Sequence, residues 1–71
     1  MSISTLRQFW SVIEGMQTST LLRLNDAELV HQLLTQLKGE TTLSVEEVSG
    51  VSHYAHSRLP LIRDLAQSRG A

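Results

Sequence analysis

The chain reads as all-α, a small bundle of three main helices, on three observations. The stretch Asp26 to Lys38 is an amphipathic helix with both ends marked. The same helix-start pattern returns at Leu43–Ser44, and apolar residues then keep helical spacing from Val48 to Ala66. The expected helices cover about 5–17, 26–38 and 45–69 of a single domain spanning residues 1–71.

In the first helix, Thr5 is placed to cap the N-terminus, with Gln8 at the matching capping-box position. Leu6, Phe9, Trp10, Val12, Ile13 and Met16 share one side, and Arg7, Ser11 and Glu14 lie opposite. Phe9 and Trp10 are the only Phe and Trp, and aromatics at helical spacing pack inward far more often than they wait for a ligand. Trp10 sits at the edge of the apolar arc, which leaves room for partial exposure or an interface role. From Gly15 to Leu24 the pattern weakens, because glycine and the Thr18–Ser19–Thr20 run compete with helix. Leu21, Leu22 and Leu24 are too apolar for a free linker and are expected to close one end of the core.

The central helix carries the clearest grammar. Asn25 is the N-cap, Glu28 completes a capping box, and Leu24 and Leu29 form a hydrophobic staple. Gly39 is expected to turn left-handed past the last turn, where Lys38 complements the dipole. Ala27, Leu29, Val30, Leu33, Leu34 and Leu37 make an apolar arc wide enough for two neighbours.

The third helix opens with Ser44 as cap and Glu47 three residues on. Pro60 removes one backbone hydrogen bond, so this helix is expected to be bent or split near Pro60, with Gly50 a second weak point. Arg58 and Arg69 fall within its apolar arc if it is straight. Their stems are then expected to lie along the core while the guanidinium reaches water or a carboxylate, with Asp64 and the acidic first turns as candidate partners. The expected core is Leu6, Phe9, Ile13, Met16, Leu22, Val30, Leu33, Leu34, Leu37, Val48, Val51, Ala55, Leu59, Ile62 and Leu65.

Composition narrows the function. At 71 residues a single core is near marginal, and with no cysteine no disulfide can assist it. A net charge of −1 gives no general attraction to nucleic acid or to an anionic membrane. No apolar run approaches the roughly 20 residues that span a bilayer. The opening MSISTLRQFW lacks the marks of a signal peptide, so a soluble, cytoplasmic protein is expected.

The histidines are the only conspicuous chemical groups. His53 and His56 lie three apart on the polar face of the third helix, with Glu46 two turns earlier. A zinc site needs three or four converging ligands. Ser49 and Gly50, which would complete the set, are poor ligands, and His31 lies on another helix, so no metal site is expected. There is no Gly-rich phosphate loop, no cysteine nucleophile and no Ser–His–Asp arrangement. No catalytic residue, cofactor or small-molecule substrate is inferred, and the chain is not expected to be an enzyme.

The long third helix has more apolar length than two shorter partners cover. That points to a non-catalytic interaction module, an adaptor or small regulatory subunit, that buries the surplus in a homodimer or against another protein. The alternative is a DNA-associated regulator, because LSVEEVSGVSHYAHSRLPLI resembles a degenerate helix-turn-helix. The glycine comes about one helical turn too early for that motif, and the presumptive recognition helix has few cations, which weigh against nucleic acid. The segments LRQFW (Leu6 to Trp10) and SRLPLIRDLA (Ser57 to Ala66) resemble short, uncharacterised all-helical proteins of cyanobacteria. That resemblance implies a small soluble helical protein and brings no activity, cofactor or site with it.

Overall fold

The computed structural model describes residues 2–70, and among them there are four α-helices and no strand. They are α1 (Ile3–Gly15), α2 (Thr18–Arg23), α3 (Asp26–Glu40) and α4 (Val45–Gly70). The all-α reading holds, with one short helix more than the three main ones.

α1 begins earlier than Thr5. Ser2 is the N-cap, and its hydroxyl accepts from the Thr5 N–H at 3.2 Å. Thr5 is instead inside the first turn and buried, because its hydroxyl is used elsewhere: it donates to Glu47 at 3.0 Å. At its other end α1 stops at Gly15, two residues short of the expected bound, and α2 takes up the ambiguous stretch. Of the three leucines there, Leu21 is fully buried, Leu24 packs at the edge of the core, and Leu22 is exposed.

α3 opens as its grammar demands. The Asn25 side chain accepts from the Glu28 N–H at 2.8 Å, and the Glu28 carboxylate accepts from the Asn25 N–H at 3.1 Å. Its end differs from expectation. Gly39 is an ordinary helical residue, α3 continues to Glu40, and no glycine among the described residues has a positive φ. The chain leaves the helix by extending at Thr41, whose N–H still donates to the Leu37 carbonyl at 3.0 Å.

α4 is one helix. Of the two alternatives at Pro60, bent or split, the split does not occur: the helix continues through Pro60 and through Gly50, so the residues that suggested a helix-turn-helix form no such motif. Pro60 is exposed, which puts the His56 carbonyl deprived of its partner on the wet side of the helix. At about 1.5 Å per residue its 26 residues span about 39 Å, which matches the 36 Å long axis of the molecule.

Three long-range contacts set the helix directions. Thr5, at the start of α1, meets Glu47 in the first turn of α4, and the last carbonyls of α1 meet Arg69 near the end of α4. α1 and α4 therefore run the same way. Asp26, at the start of α3, pairs with Arg63 late in α4 at 2.9 Å, so α3 runs against both. α2 crosses one end and packs on α4.

The core follows the apolar arcs, with a register shift on α4. Phe9, Ile13, Val30, Leu33, Leu37, Val51, Ala55, Leu59 and Ile62 are buried as expected, joined by Val12, Leu21, Leu29 and Ala66. Leu6, Met16, Leu34 and Val48 reach only the margin. Leu22 and Leu65 are exposed instead of buried. On α4 the inner position goes to Ala66, and Leu65, about 100° round the helix, is left outside.

Candidate functional site

The outer side of α4 carries a second stripe, Tyr54, Arg58, Leu61, Leu65 and Ser68, at spacings of four, three, four and three residues. Its first part is covered by α1. Phe9, Trp10 and Tyr54 meet edge to face, with ring centroids 5.3, 5.4 and 6.4 Å apart. The Trp10 Nε1–H donates to the Tyr54 hydroxyl at 3.3 Å. The Arg58 guanidinium lies 5.1 Å from the Tyr54 ring centroid, a cation–π contact that holds an exposed arginine in place. Arg58 thus leaves the core by stacking on an aromatic, not by pairing with Asp64.

Farther along, the stripe is uncovered. Leu61 and Leu65 are 46% and 48% exposed, one turn apart on the same face. Leu65 and Ser68 line a groove with Trp10, Ile13 and Glu14 of α1. Arg69 closes its end: the guanidinium donates to the carbonyls of Glu14 at 3.2 Å and of Ile13 and Met16 at 3.3 Å. The Ile13 carbonyl already accepts from the Met16 N–H at 3.2 Å, and Arg69 adds a second donor there while reaching the Glu14 and Met16 carbonyls past the last helical bond of α1. Arg69 is therefore a cap for α1, and its expected carboxylate partner is replaced by backbone. Arg63 does the same for α2, donating to the Leu21 carbonyl at 2.8 Å as well as to Asp26.

The other singled-out groups do not assemble into a site. His31, His53, His56 and Glu46 are all exposed, with His31 on α3. Among the described residues no three metal-ligating side chains converge. A separate cleft between the end of α1 and α3 is polar, lined by Ser11, Gly15, Gln32, Gln36 and Glu40. No buried side-chain N or O among the described residues lacks a partner, so no interior polar atom is poised for a ligand. No helix among them is long and apolar enough to cross a membrane.

The apolar spacing of α4 points to surplus apolar length but places Leu65 in the core and does not single out Leu61. The signal was present as the four–three spacing through Tyr54, Arg58, Leu61, Leu65 and Ser68, overshadowed by the inner stripe one position away. Comparisons with protein-family models, with curated proteins and with solved structures find no match for this chain.

Proposed function

We propose that the protein is a non-catalytic helical interaction module, an adaptor or small regulatory subunit, that buries the outer face of α4 against its own copy or another protein. The observation that carries this reading is the pair Leu61 and Leu65, each about half exposed, with Leu65 lining an open groove beside Trp10. Two adjacent large apolar side chains on a rigid helix, rimmed by charges, are what an interface core needs. A cytoplasmic setting fits the cysteine-free composition.

The test pairs sedimentation with an apolar-surface dye, comparing the wild type with the Leu61→Gln, Leu65→Gln double variant. The expected result is that the wild type either associates or binds dye, and that the variant loses whichever property the wild type shows while keeping its helical circular dichroism. A wild type that is both monomeric and dye-negative ends the proposal.

A further inference from the structure

The charges around this groove identify an occupant. We propose that a second copy packs there, with the two α4 helices antiparallel about a two-fold axis that passes between Leu61 and Leu65. This rests on the interaction-face reading and specifies its partner.

The geometry follows from the sequence register. The midpoint of Leu61 and Leu65 is position 63, so the axis brings Leu61 of one copy onto Leu65 of the other, twice. Arg58 lies five residues before the midpoint and Ser68 five after, each about 7.5 Å along the helix. Arg58 of one copy therefore arrives level with Ser68 of the other. Ser68 shares its groove with Glu14. A two-fold axis perpendicular to an antiparallel pair keeps each flank on its own side. Arg58, stacked on Tyr54 beside Trp10, and Glu14, on α1, both lie on the α1 flank. The axis thus sets Arg58 against Glu14 of the other copy, beside that copy's Arg69, whose guanidinium is turned onto the α1 carbonyls, and symmetry makes the contact twice.

Both groups suit that role. Among the described residues the one ion pair is Arg63–Asp26, so neither the Arg58 guanidinium nor the Glu14 carboxylate has an ionic partner among them. Both side chains are exposed. The Arg58 guanidinium lies against the Tyr54 ring, and no hydrogen bond among the described residues uses its N–H groups, which leaves them for a carboxylate. The leucine pairs would form the dry centre and the ion pairs the rim.

A charge-exchange cycle tests this by sedimentation equilibrium. Arg58→Glu alone and Glu14→Arg alone should each weaken the dimer about tenfold, since every substitution acts twice in a symmetric interface. The double variant, with the charges exchanged, should return to within about twofold of the wild type. Circular dichroism and urea midpoints of the variants keep folding separate from association. A double variant weaker than either single one overturns this geometry. If Leu61→Gln, Leu65→Gln nevertheless abolishes association, the face reading stands without it. A wild type monomeric up to near-millimolar concentration overturns the second copy as occupant, and dye binding that depends on Leu61 and Leu65 then decides the face separately.

Discussion

The two ends of the bundle are fastened by opposite chemistry. Where α1 and α4 begin, one carboxylate does the joining: Glu47 accepts from the Ser44 N–H at 3.3 Å and from the Thr5 hydroxyl at 3.0 Å. The Ser44 hydroxyl in turn accepts from the Glu47 N–H at 3.2 Å, and the Ser2 and Thr5 hydroxyls share a hydrogen bond at 2.9 Å. Where α1 and α2 finish, two arginines of α4 do the joining, through backbone carbonyls. Each arrangement places charge against the complementary pole of a helix, negative at N-termini and positive at C-termini. The difference lies in what can switch. A carboxylate titrates in mild acid, whereas a guanidinium stays charged at any pH the fold meets. The open leucine face sits toward the arginine end, so the half of α4 proposed to bind is also the half held mainly through backbone carbonyls, with the Asp26 carboxylate as the one titratable partner.

The comparison breaks most severely at Leu21. This side chain is fully buried where α2 packs on α4, and its carbonyl is the acceptor for Arg63. Leu21→Ala should cost about 2–5 kcal/mol, from lost burial plus the cavity left behind. A urea titration followed at Trp10 reads it. A loss below about 1 kcal/mol would mean that α2 is not part of the cooperative core.

Next comes the arginine fastening itself. Arg63→Met keeps an apolar stem and removes two short charge-assisted hydrogen bonds, one to the Leu21 carbonyl and one to Asp26. Hydrogen bonds to charged groups are worth about 1.5–3 kcal/mol, and this arginine is 24% exposed, so a loss near the lower bound is expected. Arg69→Met removes bonds from a more exposed group to carbonyls alone, and about 1 kcal/mol is expected. If the two substitutions rank the other way in urea, the α1 terminus depends on its cap more than the α2 terminus does.

How much of this was readable in the chain depends on the range of the interaction. The capping boxes at Asn25–Glu28 and Ser44–Glu47 are local, three residues apart, and the structure forms both. The arcs of α1 and α3 named the inner residues of those helices because a period of 3.6 fixes a face without knowledge of the neighbour. What escaped were contacts across more than 40 positions. Thr5 was assigned to a cap because nothing local shows that Glu47 will claim its hydroxyl and leave capping to Ser2. Arg63 and Arg69 find backbone carbonyls, which have no sequence signature. The candidate face was legible as an excess of apolar length on α4, but the choice between Leu65 and Ala66 as the inner residue depends on how closely the neighbouring helices approach.

The smallest expected effect is at Glu47, and its mark is pH dependence more than size. The Ser44 N–H first, and then the Thr5 hydroxyl, hold its carboxyl below the ordinary value of 4.5. A carboxyl with a lowered value in the folded state stabilises the fold fully above its unfolded value and loses that contribution as pH falls through the folded one. Glu47→Gln keeps an acceptor in place but cannot titrate. The variant should be somewhat less stable than the wild type at neutral pH, with the gap narrowing as pH is lowered from about 6 to about 3. Arg69→Met, whose lost partners are all carbonyls, should stay displaced from the wild type by a constant amount over the same range. Urea midpoints measured side by side settle the contrast. If the Glu47→Gln gap does not narrow in acid, the carboxylate is not what joins α1 to α4, and the Thr5 hydroxyl is held at that end by Ser2 and by packing.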